Sequence, residues 1–580
     1  MILRVFDIKN LWEKINMEIK KSLNRLFQEA LTKIGIDENL TVSETTKPEF
    51  GDYQFNGAMA LAKKLKKAPR LIAQDIIENL PENKMIKTLE IAGAGFINIR
   101  LKREFLEENI LKLSNDKRLL ISKTKDPKRV VVDYSSPNMA KEMHVGHLRS
   151  TIIGDSLANL FEFLGDEVIR QNHIGDWGTQ FGMLIAYLEE LGDNANRSLS
   201  DIEEFYKKAK KRFDSDKEFA NLSREYVVKL QSGDVKCLEL WEKFIDKSLS
   251  HCEEVYSKLG VKLKREDVKA ESSYNEELPK IIEDLEKKGL LVESQGAKCV
   301  FIEGEENPLI VQKSDGGYLY ATTDLAAIRF RVKELKAKRI SYVVDARQSE
   351  HFKQVFKVAK MAGYVDDEVL LEHIAFGVML DKNGKPFKTR DGGTVKLISL
   401  LEEAVKRAKK SITKREEYLE DELEKVAQII GIGAVKYSDL SINRESDYIF
   451  DWDKMLNLNG NTSLYQQYAY ARIQSIFRKF DGNFIPTSKL EEEIEQKLAL
   501  KLLQFEDILQ LAYKEAKPHY ITTYLYELTT MFMKFYESCP ILKDEIESEI
   551  KLSRLTLAKA VGDTIKIAFK ILGIGVLDKI

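Results

Sequence analysis

The sequence predicts a multidomain α/β protein. A parallel sheet carries a helical insertion, a small α+β unit precedes it, and an all-α region follows. Three observations carry this reading. Short apolar runs alternate with helical stretches between Arg129 and Met379, the pattern of βαβ units. A charged, mostly helical stretch at about 198–303 breaks that alternation. Beyond about Ile398 the chain reads as helical almost throughout, with a loop near Asp481 to Pro486. A chain of 580 residues is too long for one core, so two to four domains are expected.

Taken in order, the first unit spans about 1–118. It holds a helical stretch from Leu11 to Ile34, a Gly/aromatic segment from Phe50 to Asn56, a helix from Ala58 to Leu65, and strand-like residues around glycines from Leu89 to Ile99. A lysine-rich piece with Pro127 links it to the sheet unit, 119–397. There, Val130 to Asp133 and Glu167 to Arg170 read as strands, and Leu148 to Leu164 and Gln180 to Leu191 as helices. After the insertion the alternation resumes with a strand at Ile340 to Asp345, a helix at Glu350 to Ala362 and a strand at His373 to Met379. Residues 398–455 form a helical connection and 456–580 a final helical domain. No repeat of solenoid period is seen.

The composition, 43% hydrophobic and 32% charged with 11 prolines, is that of a globular protein and excludes large-scale disorder. Cys237, Cys252, Cys299 and Cys539 lie far apart, so paired zinc-knuckle spacing is absent and free thiols in a reducing cytosol are expected. There is no run long enough to span a membrane and no signal peptide, so a cytoplasmic protein without a membrane partner is expected. The net charge of −2 neither invites nor excludes nucleic acid.

The sharpest chemical signal is Pro137-Asn-Met-Ala-Lys-Glu-Met-His-Val-Gly-His147, between the first strand and first helix of the sheet. A Rossmann-like sheet binds nucleotides there, outside its strand ends and beside a helix N-terminus. His144 and His147 can face one ligand, Gly146 between them allows close approach, and imidazole N–H groups can stabilise charge growing on a phosphate. The competing use, a histidine pair capping a helix or packed in a core, is outweighed by the position and by Lys141 just upstream.

This segment resembles the HIGH signature of class I aminoacyl-tRNA synthetases. Its longer context, Asp133 to Gly154, is similar to the arginyl-tRNA synthetases, as are Asn172-His-Ile-Gly-Asp-Trp-Gly178, Asp315 to Asp324, and Val344 to Phe352. The resemblance covers essentially the whole chain. It implies ATP-dependent ligation of arginine to its tRNA through an arginyl-adenylate. It also implies that tRNA binds before the amino acid is activated. The second class I signature, a KMSKS-type loop, resembles Gly384-Lys-Pro-Phe-Lys-Thr-Arg390. Lys385 and Lys388 are kept, whereas Pro386 and Phe387 depart from the signature. Lys388 is expected to meet the phosphates, alone or shared with Lys141.

A guanidinium demands carboxylates. The resemblance points to Asp133 and Asp324 for arginine, with Tyr320 one helical turn before Asp324, Asn138 and Gln348 at the amino and carboxylate end, and His351 nearer the adenosine. His144, Gly146, His147, Lys385 and Lys388 would complete the ATP site. Trp177 suits base stacking or packing beside the pocket equally. ATP is expected with Mg2+, and no protein-bound structural metal.

The final helices resemble an anticodon-binding domain of the DALR type, through Asn459 to Arg472 and Ser553 to Ala560. Tyr465 and Arg472 are candidate tRNA contacts, though core packing is the commoner use of such a stripe. Lys559, Lys566 and Lys570 share a helix face that suits phosphates or plain solvent. By the same resemblance the first unit touches the tRNA corner, through Tyr53 and Asn56. A monomer is expected. The rival readings are another class I synthetase, a catalytically silent tRNA-binding paralogue, and a small nucleotidyltransferase. The last has no use for the long helical C-terminal region.

Overall fold

The computed structural model describes residues 19–45, 47–192, 202–387, 395–412 and 419–580. In the first unit, helix α1 (Ile19–Lys33) buries Leu23, Phe27, Ala30 and Leu31, one apolar stripe at helical spacing. Strands β1 (Val42–Glu44) and β2 (Tyr53–Phe55) follow, then helices α2 (Gly57–Leu65) and α3 (Pro69–Glu78). The run predicted as strand-like around glycines is a hairpin of β3 (Ile86–Ala92) and β4 (Phe96–Leu101), turning at Gly93 to Gly95. The antiparallel sheet has the order β1-β2-β4-β3, and helix α4 (Arg103–Ser114) closes the unit.

The second sheet is parallel. Its strands are β5 (Arg129–Asp133) and β6 (Glu167–Gln171), joined through helix α5 (Val145–Leu164). Helices α6 (Thr179–Leu191), α7 (Ile202–Ser215), α8 (Lys217–Gln231), α9 (Val235–Leu259) and α10 (Leu278–Lys287) come next. The inserted stretch is not wholly helical, because β7 (Val292–Ser294), β8 (Ala297–Val300) and β9 (Leu309–Gln312) form a small antiparallel sheet. Helix α11 (Tyr320–Lys333), strand β10 (Arg339–Tyr342), helix α12 (Ser349–Met361) and strand β11 (Leu370–His373) complete the parallel sheet. Its order is β11-β10-β5-β6, with Tyr342 beside Asp133 and Asp133 beside Gln171. Chain order reverses between β10 and β5, so the carboxyl ends of these two strands mark the switch point where such sheets bind ligands.

The predicted strand at His373 to Met379 is corrected. The chain leaves the sheet after His373, and β12 (Met379–Leu380) pairs instead with β13 (Tyr448–Ile449). In sequence order, helices α13 (Leu397–Ile412) and α14 (Glu420–Leu440) come before β13, and the short α15 (Trp452–Met455) after it. The last unit is helical: α16 (Ser463–Lys479), α17 (Glu493–Leu503), α18 (Phe505–Glu515), α19 (His519–Ser538) and α20 (Ser548–Ile571).

One apolar core runs from Ile19 through α5 to Ile574 and so crosses all the units, while smaller cores lie around Ile340 and around Ala427. Sixteen of the 20 residues of α5 are buried, which makes it the central post of the molecule. Polar ties cross the same boundaries. Gln504 donates to the Tyr53 hydroxyl (3.4 Å), the Leu490 amide to Glu107 (2.8 Å) and the Tyr513 hydroxyl to Asp166 (2.7 Å). Lys436 of α14 is buried and donates to the carbonyls of Leu259 (2.9 Å) and Gly573 (2.6 Å). Burial lowers the pKa of this ammonium, and nearby Asp155 opposes that.

Candidate active site

The loop after β5 carries the chain across the switch point. Ser135 (φ +70°) and Ser136 (φ +44°) both lie in the left-handed region, a strained turn for residues other than glycine. Hydrogen bonds hold it. The Ser135 amide donates to Ser150 (2.9 Å), the Ser136 amide to Asn172 (3.0 Å) and the Ser136 hydroxyl to Asp133 (2.8 Å). The turn delivers Asn138, exposed, with its side-chain oxygen accepting from Gln180 (2.9 Å).

Helix α5 begins at Val145, earlier than the sequence suggested, because the histidines cap it. His144 Nδ1 accepts from the Gly146 amide (3.0 Å), and His147 Nδ1 accepts from the His144 amide (3.1 Å). A ring nitrogen that accepts an N–H carries no proton, so in each neutral ring the proton sits on Nε2. The capping box therefore fixes both tautomers as Nε2–H donors, with the rings 4.1 Å apart. The pKa of His147 falls to about 3, chiefly through burial and then through His144 beside it, so the ring stays neutral. The two histidines therefore do cap the helix, the competing use weighed in the sequence. Gly146 has a reason closer to hand than ligand approach: a Cβ there would lie 2.7 Å from the His144 ring.

On the facing side of the switch point, α11 starts at Tyr320, which is 68% exposed and so open to a ligand. One turn on, the Asp324 carboxylate meets His351 Nε2 at 2.6 Å. His351, expected beside adenosine, thus touches the same acid. Gln348 lies exposed in the 3-10 turn before α12. Sequence reasoning missed Glu271. Its segment docks on the loop after β6, where Ser272 donates to Asp176 through its amide (2.9 Å) and hydroxyl (2.6 Å). Burial pushes the Glu271 carboxyl up to about 8, and Asp176 and Asp324 push the same way. A raised carboxyl set among other acids marks this segment as a candidate site.

Asp133 requires a correction. It is buried, and its carboxylate is taken by Arg331 (2.6 Å), a fully buried side chain that also donates to Gln171 (2.6 Å). Burial opposes ionisation of Asp133, but Arg331, with help from His173, holds its pKa below the usual range. Its guanidinium partner is thus internal, and Asp133 anchors α11 to the sheet rather than facing a ligand.

Of the lysine loop, Lys385 is exposed on a turn where its amide donates to Asp381 (2.9 Å). Phe387 packs on Phe450 (5.0 Å), which accounts for an aromatic at that position. Lys388 lies outside the described residues. Lys141 is exposed, with its ammonium over the Tyr206 ring at 4.8 Å. Trp177 packs edge-on against Trp241 (5.8 Å).

The outlying candidates divide. Tyr53 is wholly buried against Gln504 and cannot meet RNA in this structure, whereas Asn56 is exposed. Lys559 is tied to Asp563 (2.6 Å), which weakens the proposed cationic stripe, and Lys566 is exposed. Tyr465 packs edge-on against Tyr526 (5.9 Å). Arg472 sits 4.8 Å from the Tyr468 ring and 5.1 Å from the Tyr536 ring, at an open cleft of about 940 Å3 that Arg478, Lys479 and Lys543 also line. Among the described residues no cluster of three or more His, Cys, Asp or Glu is placed to hold a metal, and no helix is long and apolar enough to cross a membrane. The four cysteines are buried and unpaired.

A parallel sheet whose switch point carries an H-x-G-H helix start, with a lysine loop following its last strand, defines the catalytic domain of a class I aminoacyl-tRNA synthetase. Comparison with known proteins agrees. The model of the class I (R) tRNA synthetase catalytic domain matches residues 109–452, the DALR anticodon binding domain 466–580, and the arginyl tRNA synthetase N terminal domain 14–101. The arginine–tRNA ligase of Alteromonas mediterranea is 52% identical, over 97% of this chain and 100% of its own. That of Chromobacterium violaceum is 51% identical over the same shares. The solved arginyl-tRNA synthetase of Plasmodium falciparum superposes with a TM-score of 0.86 at 35% identity, and that of Thermus thermophilus with 0.83 at 25%, each over 97% of this chain and 100% of the other. The chain belongs to the arginyl-tRNA synthetase family.

Proposed function

We propose that this chain joins arginine to tRNA with ATP, and that the switch point performs both half-reactions. The observation that carries the reading is the H-x-G-H helix start at the switch point, its two histidines accepting at Nδ1 and so turned to donate through Nε2, in a domain whose Glu271 is raised by the acids Asp176 and Asp324. The acids hold the guanidinium, Tyr320 covers it, and Asn138 and Gln348 orient the amino and carboxylate end. A carboxylate oxygen of arginine attacks the α-phosphorus of ATP. The P–O bond to the β-phosphate breaks and pyrophosphate leaves, giving arginyl-adenylate. His144 and His147 donate to phosphate oxygens as charge grows, and Lys141, Lys385 and Lys388 neutralise the leaving group. The terminal 2′-hydroxyl of tRNA then attacks the adenylate carbonyl; AMP leaves with the bonding electrons, and the hydroxyl proton passes to a phosphate oxygen of the departing AMP. No side chain needs to become covalently attached; catalysis is positioning plus electrostatic stabilisation.

ATP enters as its Mg2+ complex, the chain acts as a monomer in the cytosol, and the cleft around Arg472 receives unpaired anticodon bases through its tyrosines and cations. Residues 1–118 reach the tRNA corner through Asn56, residues 119–397 do the chemistry, and 456–580 read the anticodon, joined by 398–455. Amino-acid-dependent ATP–pyrophosphate exchange and tRNA charging, measured across all twenty amino acids, test this. Arginine alone should support both, and exchange should need arginine tRNA. Activity with another amino acid would overturn the assignment. Vigorous exchange in nuclease-treated protein would overturn the expected order of binding.

A further inference from the structure

The described arms of the lysine loop are both fastened to the start of α5 or to the residues just before it. On the carboxyl side, the Val145 amide donates to Val395 (3.0 Å), the Leu397 amide to Met143 (3.0 Å), and Lys396 pairs with Glu142 (2.9 Å). On the amino side, the fastening is a single side chain, Arg149. It lies five residues after His144 on the same helix and is 2% exposed, so every contact it makes is internal. Its Nη1 donates to the carbonyls of Gly377 (2.6 Å) and Ser446 (3.0 Å), and its Nε to Asp439 of α14 (3.0 Å). The guanidinium lies 5.7 Å from the Phe376 ring and 5.4 Å from the Tyr448 ring.

These acceptors fix the arm that bears Lys385. A Cβ on Gly377 would lie 2.5 Å from Asp447, so segment 376–378 is pressed onto 446–447. The Val378 amide donates to the Asp447 side chain (2.6 Å), and at the next residue β12 pairs with β13. Through Gly377 and Ser446, Arg149 holds both strands of that pair at their start.

As a stabiliser the arrangement is poor. Arg149 Nη2 and Asp439 Oδ1 are buried without a protein partner, and burial raises the Asp439 pKa against the pull of Arg149. Buried ion pairs with orphaned atoms are often matched or bettered by apolar side chains. An apolar side chain, however, could not hold two carbonyls and a carboxylate in fixed directions.

We propose that Arg149, oriented by Asp439, is a positioning residue: it sets the distance between the paired histidines and the arm that presents Lys385 to the leaving pyrophosphate. The proposal rests on the reading that adenylation takes place between these groups. Wild-type arginine-dependent exchange tests that reading alone.

The test replaces both charges in the full-length protein, Arg149→Met with Asp439→Leu, and measures exchange with tRNA present. The thermal midpoint should hold, arginine and ATP KM should hold, and kcat should fall about 10²-fold, the scale for a misplacement of about 1 Å. In a Lys385→Ala background the same pair of changes should lower kcat by no more than about threefold, because its effect runs through that lysine. Asp439→Asn, which keeps the carbonyl contacts, should lower kcat in the same direction by less, and serves if the double variant does not fold. An unchanged kcat in either folded variant would overturn the proposal. So would full multiplication with Lys385→Ala, a Lys385→Ala variant of normal kcat, or a rise in arginine KM that matches the loss of kcat.

Discussion

Glu271 offers a measurement that separates recognition from chemistry. Its carboxyl is raised to about 8 by burial, Asp176 and Asp324, so at pH 7 only about 9% of it is ionised. A guanidinium needs the carboxylate, and apparent affinity is reduced by the fraction of competent protein. Arginine binding should therefore strengthen as pH rises. Between pH 7 and pH 8.5 the ionised share climbs from about 9% to about 76%, an eightfold gain worth about 1.2 kcal/mol. Binding at pH 7 should release about 0.9 proton per arginine. Titration calorimetry in two buffers of different ionisation enthalpy reads both quantities. Glu271→Gln should bind arginine more weakly at pH 8.5 and lose most of the pH dependence. Affinity that is flat from pH 6.5 to 8.5, with no proton release, would refute the reasoning.

Four further outcomes follow from the same geometry. His147→Ala and His144→Ala should each lower the kcat of exchange by roughly 10²–10³-fold, the scale for one preorganised donor, with arginine KM little changed; equal loss in kcat and binding would count against a donor role. Because the pKa of His147 is depressed to about 3 from 6.5, its contribution to stability is complete above about pH 6.5 and is lost as pH falls toward 3. Acid-induced unfolding of His147→Gln should accordingly be less steep over that window. Gly146→Ala should leave the fold intact yet cut kcat at least about tenfold, since the new methyl group displaces the His144 ring, and a fully active variant would show that the ring is free to move. Asp324→Asn should raise arginine KM far more than ATP KM, and parallel rises would make the residue structural.

The alternation of strands and helices was legible because buried parallel strands read as apolar runs, and the H-x-G-H segment because its residues are contiguous. The spacing of Tyr320 and Asp324 predicted one helical turn between them, and α11 does carry both in its first two turns. Most of the errors involve partners distant in sequence. Asp133 reads as a ligand acid until Arg331, 198 residues on, takes its charge. Tyr53 lies in a polar segment and reads as exposed, but docking against Gln504, 451 residues away, buries it. Glu271 is one acid among many in a charged stretch, and only the folding of its segment onto Asp176 distinguishes it. The strand expected through Met379 was misplaced because apolar pattern alone does not reveal that Asp447 draws residue 378 out of the sheet.

The burial of Lys436 has a consequence for the order in which the molecule is made. Its ammonium is enclosed by carbonyls from Leu259 and Gly573, and the second of these is synthesised 137 residues later. At roughly 5–20 residues per second, about 7–27 s pass between the two. Through that interval the nascent catalytic region holds a cation destined for its interior but lacking one of its two acceptors, and α5 lacks the neighbours that α20 supplies. The fold thus ties the interior of the sheet unit to the last residues made, and a chain cut short within α20 would leave Lys436 without the Gly573 carbonyl.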